Sequence, residues 1–441
     1  MVKYDLLIIG FGKAGKTLAT TLAKEGKKVA VVEENSKMYG GTCINIGCIP
    51  TKTLIVAAEN KKNYSEAKAT RDNVVSKLNA KNFAMLNNNP NIDIYTAKAK
   101  FISNKVVEIF ENGETKQLKG EIIVINTGAK NNILNIPGLT TSKNVYDSTE
   151  LQKLKTPPKT LGILGGGNIG LEFSNLYSKL GVKVTVIDFS PTILGREDTD
   201  ISMLAQKYLK EQGVEFKLGT VTKEIRNNGN KVIVDTEKYG NLEFDALLHA
   251  TGRRANTEDL GLENTDIKLA ANGSVVVDEF CRTNVENIFA VGDVNGGLQF
   301  TYVSLDDFRI VNNYLHGNKE YIRLSRKNIP YSVFITPTLS RVGLNENQAH
   351  ELYKNIAIAS LPVANMPRGA VNQDQRGIYK VIVDKDTDLI LGATLFSKNS
   401  EEIINLIKLA MDNNIPYTYI KNQVFTHPTM AENLNDVFKL I

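Results

Sequence analysis

Leu6-Leu7-Ile8-Ile9-Gly10-Phe11-Gly12-Lys13-Ala14-Gly15 runs four apolar residues into three glycines spaced G-x-G-x-x-G. A short apolar run bounded in this way reads as a strand of a buried parallel sheet. The glycines permit a tight turn and bring the amides of the next helix close to a pyrophosphate. Val29 to Val32, the strand after that helix, ends in Glu33, an acid placed to take ribose hydroxyls. The design then repeats: Leu161 to Leu164 leads into Gly165-Gly166-Gly167-Asn168-Ile169-Gly170, and Val182 to Ile187 into Asp188. Each acid lies 23 positions after the first glycine of its motif. One such motif is weak evidence. Two in matched strand-turn-helix-strand-acid context predict an α/β chain with two Rossmann-like dinucleotide-binding domains. Glu33 and Asp188 could instead be ordinary strand-end turn acids, but the matched spacing argues against that.

Seven residues beyond Glu33 begins Gly40-Gly41-Thr42-Cys43-Ile44-Asn45-Ile46-Gly47-Cys48-Ile49-Pro50-Thr51-Lys52. In a regular helix, residues five apart are separated by roughly 8 to 9 Å at Cα and face different ways, beyond disulfide reach. A Cys43–Cys48 bond therefore requires a distorted helix, with Gly47 departing from helical geometry and Pro50 interrupting the helix around the second cysteine. Thr42 is read as the helix cap after Gly40-Gly41, which sets the thiols near free amides and the positive end of the helix dipole and lowers a thiol pKa. The alternatives are two packed thiols or half a zinc site. No second cysteine pair or nearby histidine completes a metal shell, so no metal site is expected. Beside a redox-active disulfide, the first dinucleotide must be the group that exchanges electrons with sulfur, which is FAD. The second site then takes a nicotinamide nucleotide. Asp188 repels a 2′-phosphate and bonds a free 2′-hydroxyl, favouring NADH over NADPH, and Arg196 nearby softens that preference.

At 441 residues, 42% hydrophobic and 23% charged, the chain should form two or three soluble domains. No apolar run approaches a membrane span, and the first strand begins at once, so no signal peptide is expected and the protein reads as cytoplasmic. Three cysteines are too few for a secreted disulfide framework. The net charge of +5 is diluted along the chain, so neither nucleic acid nor a membrane surface is an expected partner. Between the glycine motifs, Glu66 to Leu86 reads as a helix, and Ile92 to Phe101, Val106 to Phe110 and Ile122 to Thr127 as strands. Ile288 to Asp293 reads as a buried strand ending in an acid that meets the flavin's ribityl chain. From about Lys327, the strands Ser332 to Ile335, Tyr379 to Val383 and Leu389 to Phe396 and the helix Glu401 to Met411 suit an α+β dimerisation domain. The expected boundaries are 1–147 and 254–326 for the FAD-binding domain, 148–253 for the NAD(P)H-binding domain and 327–441 for dimerisation.

The cysteine run, both glycine motifs, Asn126-Thr127-Gly128, Ala250-Thr251-Gly252-Arg253, Val291-Gly292-Asp293, Val342-Gly343-Leu344 and His427-Pro428-Thr429-Met430-Ala431-Glu432 together resemble the class I pyridine nucleotide-disulfide oxidoreductases. That flavoprotein family contains glutathione reductase, dihydrolipoamide dehydrogenase and mercuric reductase, and the resemblance spans essentially the whole chain. Gly10 to Thr17, Met38 to Leu54, Asp293 to Tyr302, Met366-Pro367-Arg368-Gly369 and Phe425 to Leu434 are most similar to the reactive-chlorine-resistance flavoproteins and bacterial hypothiocyanous acid reductases. The resemblance implies a small oxidised-sulfur substrate reduced in oxidative-stress defence. It makes Cys43 the interchange thiol and Cys48 the thiol in charge-transfer contact with the flavin. His427, held by Glu432 and supplied by the opposite subunit of a homodimer, is the implied acid/base, and Lys52 is implied to pair with Glu172 beside flavin N5. Gly41, Thr42, Thr127, Gly128, Gly252, Asp293 and Thr301 join Gly10, Gly12, Gly15, Gly165, Gly167 and Gly170 as expected cofactor contacts.

The C-terminus lacks the vicinal cysteines of mercuric reductase, and Asp188 stands where glutathione reductase carries arginines for NADPH. Dihydrolipoamide dehydrogenase fits nearly as well, and a flavin-binding redox sensor is the rival from another class. His427 has a merely structural reading besides the catalytic one. Cys281 reads as a small buried hydrophobe, His249 as a satisfied core histidine, and His316 and His350 as surface residues. Met366 and Arg368 read either as the lining of a substrate entrance or as ordinary loop contacts.

Overall fold

A computed structural model describes all 441 residues, which divide into two compact units. The first comprises Met1–Ala57, Ser65–Ile133 and Thr251–Ser325, the second Ala58–Tyr64, Leu134–Ala250 and Arg326–Ile441.

In the first unit, strands Val2–Ile9 and Val29–Glu33 run parallel and adjacent, with Leu6 opposite Val29 and Ile9 opposite Val32, joined through helix Lys13–Lys24. Their side chains alternate between two cores. Leu7, Ile9, Ala30 and Val32 enter one, and Leu6, Ile8, Val29 and Val31 enter the other. A sheet covered on both faces needs apolar residues at every position, which is why both segments read as unbroken apolar runs. Ile92–Thr96 extends the sheet beyond Val29–Glu33, and Glu114–Ile125 flanks Val2–Ile9 on the other side. Glu114–Ile125 is long because it serves two ladders: its first half pairs antiparallel with Val106–Glu111, and from Leu118 it runs parallel to Val2–Ile9. Ile288–Ala290 then pairs parallel with Ile123–Ile125 and completes the sheet.

Two of the expected strands differ from the structure. Ile92 to Phe101 is two strands, Ile92–Thr96 and Ala99–Ser103, because the chain leaves one ladder after Ala97 bonds Glu33 O and joins Val106–Glu111 antiparallel. The apolar alternation runs straight across that break and hides it. Ile288 to Asp293 is a strand only to Ala290. Gly292, at φ +72°, opens a 3₁₀ turn, Gly292–Asn295, in which Asp293 sits.

In the second unit, a parallel sheet takes the order 215–218, 183–188, 160–164, 246–249, 145–146, and helix Asn168–Lys179 connects its two central glycine-motif strands. The strands Thr222–Asn228, Lys231–Thr236 and Gly240–Phe244 form a separate antiparallel sheet. The C-terminal sheet is antiparallel, in the order 331–333, 339–343, 390–396, 378–384, 356–362. Helix Ser400–Asp412 and helix Asn433–Lys439 cover it through Ile404, Ile407, Leu434 and Phe438, which pack with Val381 and Leu395. Met366 belongs to this core at 1% exposure, so it lines no entrance. No helix is long and apolar enough to cross a membrane.

Candidate active site

The first glycine turn is built against one asparagine. Gly10 takes φ +97°, a conformation that favours glycine, and a Cβ there would stand 2.4 Å from Asn126 O. Asn126 Oδ1 accepts the Gly15 amide at 2.9 Å while its Nδ2 donates to Val291 O at 2.9 Å, tying the turn to the returning strand. Gly12 caps helix Lys13–Lys24 without any side-chain bond, so bare backbone opens the helix. Gly41 packs on it so closely that an added Cβ would lie 2.9 Å from Gly12 Cα, and Thr42 Oγ1 lies 3.9 Å from where a Cβ on Gly128 would be. Gly10, Gly12, Gly15, Gly41, Thr42 and Gly128 are thus brought to one place. Thr127 is beside them and donates to Asn256 O at 2.7 Å.

Glu33 is buried, accepting the Phe11 amide at 3.0 Å and the Asn35 amide at 3.2 Å, and burial raises its pKa against those bonds. Asp293 is half-buried. Burial raises its pKa, opposed by the Arg253 charge. A backbone cradle with no side chains in it, closed by one acid at a strand end and another near the returning strand, fits an adenine dinucleotide.

Beside the cradle, the cysteine run is two helices. Thr42–Asn45 is capped by Gly41, not by Thr42, because Gly41 at φ +83° makes the turn and Thr42 is already helical. The helix stops at Ile46, and helix Cys48–Glu59 starts afresh at the second cysteine. Gly47 packs closely here, since a Cβ would stand 3.1 Å from Thr42 O, tighter than an ordinary contact. Pro50 does not interrupt a helix. It lies in the first turn of the new one, where a missing amide costs little.

Cys43 and Cys48 stand as free thiols. The hydrogen bond from Cys48 holds the Cys43 thiol down to about 6 against the effect of burial, with the Thr301 hydroxyl and the charges of Lys16 and Lys52 acting in the same direction. The same bond, with burial, pushes Cys48 up. Thr301 Oγ1 lies 3.8 Å from Cys48 Sγ, so this residue, expected among the cofactor contacts, meets the sulfurs. Asn126, Lys16 and Ser304, whose hydroxyl takes the Ala14 amide at 3.3 Å, were not among the expected site residues. A lone asparagine ending an apolar strand and a lysine on the inner face of a helix were the available signals.

In the second unit, Gly170 approaches Gly165 so closely that a Cβ would stand 1.9 Å from Gly165 O, whereas one on Gly167 would enter open space. Asp188 accepts the Gly166 amide, and the Ser190 amide at 2.7 Å. Beside it, Phe189 is 81% exposed. These residues fit a second dinucleotide. His249, at the end of the neighbouring strand, is not satisfied: its Nδ1 is buried without a partner, and burial lowers its pKa. Glu172 accepts the Phe334 amide at 3.1 Å. At the C-terminal end of the same unit, His427 Nδ1 lies 2.8 Å from Glu432 Oε2, and Glu432 Oε1 accepts the Thr429 amide at 2.9 Å. The carboxylate fixes the proton on Nδ1 and leaves Nε2 as the acceptor, on a side chain 69% exposed. Cys281 is buried, and His316 and His350 are exposed.

Two glycine cradles and a hydrogen-bonded pair of thiols define a flavin- and pyridine-nucleotide-dependent disulfide reductase, and the chain belongs to the pyridine nucleotide-disulphide oxidoreductase family, whose profile matches residues 4–307, with the family's dimerisation domain at 329–438. RclA of Escherichia coli strain K12 is 48% identical over 441 residues, with all of both chains covered. The solved "Cu(II) complex of HOCl-induced flavoprotein disulfide reductase RclA" from E. coli superposes with a TM-score of 0.98 at 47% identity, covering 100% of each chain. A dihydrolipoyl dehydrogenase of Corynebacterium glutamicum is 31% identical, covering 98% of this chain and 97% of its own. The protein is a flavoprotein disulfide reductase.

Proposed function

We propose that the protein is a cytoplasmic NADH-dependent homodimer that reduces hypothiocyanous acid to thiocyanate through Cys43 and Cys48. The observation that carries this reading is the dithiol itself, one sulfur lowered to about 6 and the other raised. That division supplies a nucleophile and a resolving thiol at the same time. Gly10, Gly12, Gly15, Glu33, Gly41, Thr42, Thr127, Gly128 and Asp293 hold FAD in residues 1–147 and 254–326. Gly165, Gly167, Gly170 and Asp188 hold NADH in residues 148–253, and Gly252 is a further cofactor contact. Bound there, FAD would supply two-electron transfer between a nicotinamide and the disulfide. Lys52 would supply a positive charge beside the flavin.

The chain's own residues then carry the outward chemistry. Cys43 thiolate attacks the sulfur of hypothiocyanous acid, forming an S–S bond as the S–O bond breaks, and His427 from the opposite subunit protonates the departing hydroxide to water. Glu432 stabilises the imidazolium before that transfer. Cys48 passes its proton to His427, neutral after the first transfer, and attacks Cys43, expelling thiocyanate and restoring the disulfide. The substrate gains two electrons and the dithiol loses two.

Stopped-flow mixing of the NADH-reduced holoenzyme with hypothiocyanous acid, lipoamide, glutathione disulfide and mercuric ion tests the assignment. Oxidation is expected to be fastest with hypothiocyanous acid, whereas faster turnover with lipoamide would assign the protein to the dehydrogenase branch. Catalytic NADH oxidation with none of the four would assign it to redox sensing.

A further inference from the structure

Between Asp188 and helix Thr199–Glu211 the chain makes a turn that holds the second glycine motif from two sides. The Asp188 carboxylate accepts the Gly166 amide, and the Leu194 amide donates to Gly166 O at 3.2 Å. Ile193 packs against the same glycine, its Cγ2 3.1 Å from where a Cβ on Gly166 would stand. Leu194 makes its bond from φ +49°, a left-handed conformation uncommon for leucine. Such a conformation persists only where the surrounding contacts impose it. Nearest are the Ser202 hydroxyl, which donates to Ile193 O at 2.6 Å, and the Glu197 amide, which donates to Leu194 O at 2.8 Å.

The contacts continue into the C-terminal sheet of the same unit. In strand Ile378–Asp384, Tyr379, Val381 and Val383 enter the core beneath the helices, so Lys380 points to the other face of the sheet. It is 3% exposed. Its Nζ lies 3.1 Å from Asp198 Oδ2, 2.9 Å from both Asp200 oxygens and 2.5 Å from Glu346 Oε1. Asp198 Oδ1 also accepts the Glu346 amide at 3.0 Å, while Glu197 accepts the Tyr331 hydroxyl and stands 3.5 Å from Arg341 Nε. All three acids of Glu197-Asp198-Thr199-Asp200 are thus fastened to the C-terminal sheet and its flanking helix. A buried ion cluster contributes little net stability over apolar packing. What this one supplies is a fixed place for the strained turn.

We propose that Lys380 is a positioning residue for the nicotinamide nucleotide: it clamps residues 197–200 to the C-terminal sheet and so keeps the Leu194 amide on Gly166, shaping the second glycine turn before the coenzyme arrives. This rests on reading that turn as the NADH site. Without the lysine, Asp198, Asp200 and Glu346 repel one another, Asp198 from a buried position, and the turn relaxes away from Gly166. The C-terminal sheet thereby sets coenzyme affinity from outside the glycine motif.

The test is calorimetric titration of ADP-ribose, a coenzyme fragment without nicotinamide, into the oxidised holoenzyme, alongside flavin reduction by NADH. Lys380→Met is expected to raise the dissociation constant roughly tenfold, with flavin content and the limiting rate of flavin reduction at wild-type values. Glu346→Gln removes an acid on the C-terminal side of the cluster, outside the clamped segment, so its dissociation constant should stay within about twofold of wild type. Asp200→Asn, at a half-exposed side chain, serves if Lys380→Met does not fold, and is expected to weaken binding about threefold. Unchanged affinity in the folded variant would overturn the proposal, as would an equal loss in Glu346→Gln, which would make the cluster a stabilising element and not a clamp. A wild-type protein that binds no ADP-ribose would instead remove the second turn as the coenzyme site, a separate failure.

Discussion

Cys43 and Cys48 show how neighbouring sulfurs sort themselves into unequal partners. Because Cys43 is lowered to about 6, its thiolate is present above that pH and is lost as pH falls through it. The rate of hypothiocyanous acid reduction by pre-reduced enzyme should therefore fall about tenfold per pH unit on the acid side. A midpoint at the ordinary thiol value, near 8.5, would remove the sulfur–sulfur hydrogen bond from the account. Glu432 offers a second check. Glu432→Gln leaves His427 without a carboxylate partner and should slow the outward step by about 10²-fold in single-turnover stopped-flow, with flavin reduction by NADH unchanged. Cys43→Ser and Cys48→Ser should each abolish steady-state turnover, and full turnover in either would end the dithiol cycle.

Each helix that opens on bare glycine is an element with one irreplaceable contact. Gly10→Ala pushes a methyl to 2.4 Å from Asn126 O at φ +97°, so the purified variant should carry little flavin, read as the loss of 450 nm absorbance. Gly170→Ala puts a methyl 1.9 Å from Gly165 O in the other unit. It should weaken NADH binding sharply while flavin remains bound, as measured by the NADH dependence of flavin reduction. These elements were legible in the sequence because apolar runs, glycine spacing and a terminal acid are local signals. The thiol pair was legible for the same reason, but its helices were not. Capping by Gly41 and the restart at Cys48 are set by contacts to Gly12 and Thr42 O, which no local pattern encodes. Lys16 was passed over because lysine is ordinarily a surface residue. Its alignment with buried Ala19 and Ala23, three and seven positions on, marks the inner face. Leu339–Gly343, which pairs with nearby Tyr331–Val333 and with Ile390–Phe396, and Ile356–Pro362, which pairs with Ile378–Asp384, are strands of the C-terminal sheet that the sequence reading missed.

For the whole molecule, the proposed exchange of His427 between subunits gives a quantitative outcome. Refolding Cys43→Ser with His427→Ala chains in equal amounts produces hybrid dimers with one intact site each, so about a quarter of wild-type activity should return if the histidine acts across the two-fold axis. No recovery would place the histidine and cysteines in one subunit. Another consequence follows from the late strand Ile288–Ala290, which pairs with Ile123–Ile125 after an excursion through residues 134–250. On the ribosome, the N-terminal sheet emerges with one edge of its Glu114–Ile125 strand waiting for a partner not yet made. Synthesis of well over a hundred further residues must elapse, at about 5–20 residues per second, before that gap closes. The intervening parallel sheet is complete before then. The nascent protein therefore matures from the middle outward, and its flavin pocket is among the last parts to close.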